Sequence, residues 1–256
     1  QLRKNQIQYY NKFAKFIDKH TIELTDKKGV KEIVTANKIL IATGLRPSYP
    51  DVPGAKECCV TSDDIFRLKK APGKTLIIGA SYIAVECASF LRSFGYDVSL
   101  MVRSIILRGF DRDMADRIKN ILIKEGINIL DKCIPVSFAK TDGEKIKCEY
   151  READRTEVKT EIFDTVLLAV GRKADCSLIN IEATKVKLAK SGKVIVDKFD
   201  QTNVENIYAV GDISEGRPEL APPAIKAGKL LARRLFDGRK ETVDYENIAT
   251  TVYAKI

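Results

Sequence analysis

The 256-residue sequence has one histidine, His20, and none of its six cysteines stands in CxxC spacing to another (Cys58, Cys59, Cys87, Cys133, Cys148 and Cys176). Zinc needs clustered thiolate and imidazole ligands, so a zinc site is excluded. No run of eighteen apolar residues occurs, which excludes a membrane-spanning helix. Residues 1–20 carry charge throughout and hold no apolar core of a signal peptide. Reduced thiols in the cytoplasm are therefore expected, with a mitochondrial location as the alternative. Adjacent Cys58 and Cys59 read as incidental rather than as a redox pair, because vicinal disulfides are strained. The chain begins at Gln1 and ends at Ile256 on an apolar run, so both ends are expected to cut through structure.

What is present suffices for a core: 45% of residues are hydrophobic, and the length fits one large domain or two ordinary ones. The net charge of +9 is spread along the chain and interleaved with acids. A basic surface with an anion site is expected rather than nucleic-acid binding.

Short alternating stretches over 7–25 read as a β-meander, with a turn at Asp26–Gly29. Lys38 to Ala42 reads as a strand closed by Thr43-Gly44. Three prolines make 45–54 a connector, and a helix is expected over 62–69 with Ser62 as N-cap. Then come a strand at Thr75–Ile78, a tight turn at Gly79–Ser81, a helix to about Phe94 and a strand at Asp97–Val102. A helix over 112–125 precedes short hairpin strands over 127–163. Strands at Thr165–Val170 and Ile207–Val210 follow, and a last helix covers 223–236. Three strands end alike, ILIATG (39–44), VLLAVG (166–171) and IYAVGD (207–212). This echo predicts two related α/β units with parallel sheets and ligands at the strands' carboxyl ends.

Residues 75–104 are the most informative. A strand enters Gly79 and a helix opens within a few residues, which aims unpaired N–H groups and a partial positive charge at a pyrophosphate. Against the G-x-G-x-x-G/A pattern the chain has Gly79, Ser81 and Ala84, so the second glycine is replaced. Strand, turn, helix and second strand still arrive in order over about thirty residues, as the fingerprint requires. An NAD site would place a carboxylate at the end of the second strand. This chain has Val102-Arg103-Ser104, with Arg108 nearby. Arginine forks suit a 2′-phosphate, so NADP is expected rather than NAD.

GASYIAVECASFL (79–91) followed by MVRSIILRGFD (101–111) resembles the NADPH domain of large thioredoxin reductases and thioredoxin-glutathione reductases. ILIATGLRP, TNVENIYAVGD, ELAPPAIKAGKLLARRLF and DYENIATTVY resemble further motifs of the same pyridine nucleotide–disulfide reductases, across nearly the whole chain. The resemblance implies an α/β protein in which a Rossmann-like NADPH domain, parallel sheet plus β-meander, is inserted in a partial FAD domain. Its implied boundaries are 1–70 and 195–241 for FAD, 71–194 for NADPH, and 242–256 for the start of an interface domain. The implied NADP set is Gly79, Ser81, Tyr82, Ile83, Glu86, Arg103, Ser104, Arg108 and Gly171. Tyr82 would be a gate ring, and Glu86 would face the nicotinamide carboxamide and pair with a lysine near the flavin. Taken alone, Tyr82 reads as a packed helix residue and Glu86 as a solvated carboxylate. The implied FAD set is Ala14, Thr43, Gly44, Gly211, Asp212, Leu220, Ala221 and Pro222, with Asp212 on the ribityl chain; outside the resemblance Asp212 reads as a cap.

The chain departs from the family in two places. Ala221-Pro222-Pro223 stands where Thr-Pro-Val is usual, and after Tyr253 it reads Ala254-Lys255-Ile256 instead of a longer strand. The family's first FAD fingerprint, CxxxxC redox pair and catalytic His domain have no counterpart here, so no catalytic residue is assigned. The resemblance thus implies an inactive fragment of a homodimeric enzyme passing hydride from NADPH through FAD to a protein disulfide, thioredoxin above all. Glutathione reductase and a non-catalytic NADP-binding module are the alternatives. An NAD-dependent lipoamide dehydrogenase is disfavoured by Arg103.

Overall fold

The computed structural model describes residues 2–254. They divide into two compact units, one made of residues 2–46 and 173–249, the other of 47–172 and 250–254.

The first unit opens with an antiparallel meander of β1 (Phe13–Phe16), β2 (Thr21–Thr25) and β3 (Lys31–Thr35). Its turns are closed by short acids. Asp18 accepts from the backbone N–H of His20 and Thr21, and Asp26 from those of Lys28 and Val30. Residues 7–12, expected as part of the meander, lie outside it; Ile7 and Tyr9 are exposed, so no buried face favours a strand there. Strand β4 (Ile39–Ile41) follows.

The second unit begins with a short helix α1 (Ala55–Cys58) and strand β5 (Val60–Thr61). The helix expected over 62–69 is only a 3-10 turn, Ile65–Arg67. Asp64 explains this: its carboxylate accepts from the Thr61 N–H and hydroxyl at 2.9 and 2.8 Å, turning back instead of supporting a helix start at Ser62. Then come β6 (Thr75–Ile78), α2 (Tyr82–Ser93), β7 (Val98–Val102), α3 (Arg112–Lys124), β8 (Asn128–Asp131), β9 (Cys133–Lys140), β10 (Ile146–Glu152), β11 (Val158–Phe163) and β12 (Thr165–Leu168). A parallel sheet forms in the order β5-β12-β6-β7-β8, and β9-β10-β11 form a separate antiparallel sheet. Residues 127–163 are thus not all hairpins, since β8 joins the parallel sheet beside β7.

The three central strands are buried on both faces, which is why they read as unbroken apolar runs. Side chains alternate between two cores. Ile77, Leu100 and Leu167 pack with α2 and α3, whereas Leu76, Met101 and Leu168 pack with the antiparallel sheet. Asp111 caps α3 by accepting from the Met114 N–H at 2.9 Å. Arg92 ties the ends of both helices, donating to the Glu125 and Tyr96 carbonyls at 2.6 and 3.2 Å.

The chain then returns to the first unit, where β13 (Ile207–Ala209) pairs parallel with β4 and helix α4 (Ala221–Phe236) packs against β13. Pro222 and Pro223 fall in the first turn of α4, where their missing N–H groups cost nothing. Residues 47–70 pack with the second unit, because β5 pairs with β12 and Ala55 and Cys59 are buried there. Residues 173–194 belong with the first unit, because Ile181, Val186 and Val194 are buried with Ile39 and Ile207. Of the segment 242–254, Val243 packs with α4, and Val252 and Ala254 pack on the α2 core.

A buried ion pair locks α4. Asp200 and Arg234, with side chains 3% and 8% exposed, meet at 2.6 Å. Arg234 also donates to the Phe199 and Glu241 carbonyls, and Arg217 lies over the Tyr245 ring at 4.3 Å. Burial pushes the Asp200 carboxyl up, against the opposing pull of Arg234. Arg234→Met leaves that charge only Arg217, at 3.8 Å, and should lower stability by about 3 kcal/mol, while Asp200→Asn in the same chain, which tolerates the φ of +63° there, should recover part of the loss. Urea unfolding checks this; an Arg234→Met midpoint equal to wild type would contradict it.

Candidate nucleotide-binding site

Strand β6 ends at Gly79, whose φ is +138°. A Cβ there would stand 2.2 Å from the Ala169 carbonyl oxygen, so only glycine allows the close approach. The strand ends are tied together, since the Gly79 N–H donates to the Met101 carbonyl at 3.1 Å and the Ala169 N–H to that of Ile78 at 2.8 Å. Ser81 precedes α2 in extended conformation with no side-chain cap, and the first turn of α2 has no acid. The positive end of α2 therefore faces the strand ends, where an anionic ligand is stabilised.

Over those strand ends lies a cleft of about 770 Å³ within the second unit. Gly79, Ser81, Arg103, Ser104, Arg108 and Gly171, six of the nine expected nucleotide residues, line it. Arg108 donates to the Ser104 hydroxyl at 3.0 Å. Neither Arg103 nor Arg108 pairs with a carboxylate among the described residues, and Asp51 is the one acid in the described lining. Tyr82, Ile83 and Glu86 lie on the first turns of α2 outside the lining. Tyr82 is 36% exposed, Ile83 packs on the core, and half-buried Glu86 accepts from the Tyr253 N–H at 2.9 Å. The connector residues Tyr49, Pro50 and Val52, and Cys133 to Pro135, also line the cleft. The prolines marked the connector as a loop but not as a wall.

The second expected set lies in the first unit. Ile41 and Ala209 are in register on β4 and β13, so Thr43-Gly44 and Gly211-Asp212 leave the same carboxyl end. Gly211 has φ +77°, and a Cβ there would stand 3.2 Å from that of Ala224 in the first turn of α4. Ala14 and Thr43 share a small recess of about 110 Å³ with Phe16 and Ile41. Leu220 is half-buried, whereas Ala221 and Pro222 are exposed.

All six cysteines are free thiols, and all but half-buried Cys58 are buried. Burial pushes Cys87 up to about 11 and Cys148 up to about 12, and raises Cys59 and Cys133 as well. Such thiols are poor nucleophiles at neutral pH. Among the described residues no group of His, Cys, Asp or Glu could hold a metal ion, and no helix is long and apolar enough to cross a membrane.

The family profile for pyridine nucleotide-disulphide oxidoreductases matches residues 1–228. This chain belongs to that family. Among pyridine nucleotide-disulphide oxidoreductases it is 46% identical over 263 residues to thioredoxin reductase SEP1 of Emiliania huxleyi, covering all of this chain and 53% of that protein. It is 48% identical over 259 residues to thioredoxin reductase of Plasmodium falciparum (isolate 3D7), covering all of this chain and 41% of that protein. The chain spans about half the length of the curated relatives it matches. A solved HOCl-induced flavoprotein disulfide reductase, RclA of Escherichia coli in a cysteine-to-serine mutant form, superposes with a TM-score of 0.86 at 25% identity, over 97% of this chain and 55% of that one. The fold is thus that of the flavin and nicotinamide disulfide reductases, as the strand and turn motifs implied.

Gly79→Ala tests how the cleft is built. The added Cβ must displace Ala169, so the variant should lose at least about 2 kcal/mol of stability and its nucleotide binding with it. Thermal unfolding with and without nucleotide reads both; a variant with wild-type stability and affinity would contradict the close approach.

Proposed function

We propose that this chain forms the NADP-binding part, and one side of the FAD-binding part, of a thioredoxin-disulfide reductase. The observation that carries the reading is the pair Arg103 and Arg108 in the lining of the cleft, neither paired with a carboxylate among the described residues. Two guanidinium forks there favour a 2′-phosphate, and the end of β7 carries Arg103-Ser104 where an NAD site has an acid for the ribose 2′-hydroxyl. The parent reaction is hydride transfer from NADPH through FAD to the disulfide of thioredoxin, in a homodimer. Identity of 46–48% to thioredoxin reductases supports thioredoxin as the substrate.

In this reading the turn at Gly79–Ser81 and the start of α2 hold the pyrophosphate, Arg103, Ser104 and Arg108 hold the 2′-phosphate, and Gly171 admits the chain of the ligand to the sheet edge. Tyr82 and Glu86 serve the nicotinamide end, Glu86 by accepting from the carboxamide. Ala14, Thr43, Gly44, Gly211, Asp212 and Leu220 to Pro222 serve FAD, with Asp212 accepting from the ribityl hydroxyls. FAD, when bound, supplies the acceptor for hydride. The chain's own thiols are not spaced as a redox pair, so its role is to bind and orient cofactors.

Each charge-assisted bond to the phosphate contributes roughly 1.5–3 kcal/mol. NADPH should therefore bind at least about tenfold more tightly than NADH. Arg103→Glu should erase the preference. Calorimetric titration of both nucleotides tests this, and equal wild-type affinities would refute the reading.

A further inference from the structure

We propose that Arg112, outside the cleft, is a positioning residue that sets the NADP preference by holding the arginine loop in register with the glycine turn. The inference rests on the NADP reading above.

The loop between β7 and α3 carries Arg103, Ser104 and Arg108. Its central residue, Leu107, has φ +49°, a left-handed conformation that a residue with a Cβ adopts only when its surroundings impose it. Here the surroundings are specific. The Leu107 N–H donates at 2.7 Å to the carbonyl of Ala80, which lies in the turn assigned to the pyrophosphate. The Leu107 side chain is 1% exposed, in the core formed with α2. Its carbonyl accepts from the Phe110 N–H at 3.1 Å and from Nη1 of Arg112 at 3.2 Å. The same Nη1 donates to the Ile106 carbonyl at 2.9 Å.

Arg112 stands on the first residue of α3, a start fixed by the Asp111 cap, and its Nη2 meets Asp116 at 3.4 Å. One guanidinium on a rigid helix end thus binds two successive carbonyls of the turn that aims Arg108. Through Leu107 that turn is bonded to Ala80, so the spacing between pyrophosphate site and arginines is set by this linkage. Without Arg112 the Ile106 carbonyl turns to water, the Leu107 carbonyl keeps only the Phe110 N–H, and the turn loosens. The apparent affinity of a ligand that uses the loop then falls by the fraction of time the loop is competent. A nucleotide without the 2′-phosphate does not use the arginines and keeps its affinity.

The test compares wild-type, Arg112→Met and Arg112→Lys chains, titrated with NADPH and NADH, with the unfolding midpoint and the amide exchange of Leu107 recorded for each. Lysine keeps N–H donors one atom short of the reach of Nη1; methionine keeps only the stem. Arg112→Met should weaken NADPH binding about tenfold, the value for a loop competent one-tenth of the time, and NADH less than about twofold, with faster exchange at Leu107. Arg112→Lys should lose less NADPH affinity than Arg112→Met, because one ammonium still donates to a carbonyl of the turn. An NADPH loss with unchanged exchange at Leu107 would make Arg112 a bare charge, and parallel losses of NADPH and NADH would make it a stability residue. Either result, or no loss in Arg112→Met, overturns the proposal. A wild-type chain that binds both nucleotides alike overturns the cofactor reading itself, before any variant is compared.

Discussion

The Ala169 carbonyl oxygen occupies the space that any side chain at position 79 would need. That contact brings β6 and β12 together at their carboxyl ends, and the turn after Gly79 can then leave the sheet only where α2 begins. The direction of α2, and so the aim of its positive end, follows from it. So does the position of Ala80, whose carbonyl receives the Leu107 N–H and couples the turn to the arginine loop. The cleft lies over strand ends, where open parallel sheets place their ligands.

The arginines of the cleft matter through what is absent around them. The chain's net charge of +9 is diffuse, and exposed ion pairs such as Lys70–Glu144 and Lys145–Asp164 contribute little. Arg103 and Arg108 differ because no carboxylate among the described residues pairs with either. Their charge is available to an anion at a site where α2 already favours one. The thiols contrast with them, since burial holds Cys87 and Cys148 in the neutral form. The local chemistry is therefore that of anion recognition.

How much of this the sequence discloses depends on the length scale of each cause. Strands β6, β7 and β12 were legible because double-sided burial leaves continuous apolar runs, and α2 and α3 because of their apolar spacing and the glycines that end them. Gly79, Arg103 and Arg108 were legible because the strand–turn–helix order places them at strand ends, and the cleft contains all three. The helix over 62–69 misled, because Ser62 and the acids after it look like a helix start while Asp64 in fact bonds back to Thr61. The place of β8 was hidden, since a strand's pattern tells its faces but not its neighbour. The edges of the two compact units were hidden, because pairing of β5 with β12 and burial of Val194 beside Ile207 are long-range facts. Arg112 was invisible as a functional residue: its partners are carbonyls, and no residue pattern marks them.

The central claim is that one unit of this chain holds a complete NADP site in which the glycine turn and the arginine loop act together. Amide hydrogen exchange of the chain with and without saturating NADPH tests it most directly. Protection should appear together at 79–84 and 103–109, with little change at 13–16 or 207–212. Protection of the glycine turn without the arginine loop, or of neither, would contradict the account.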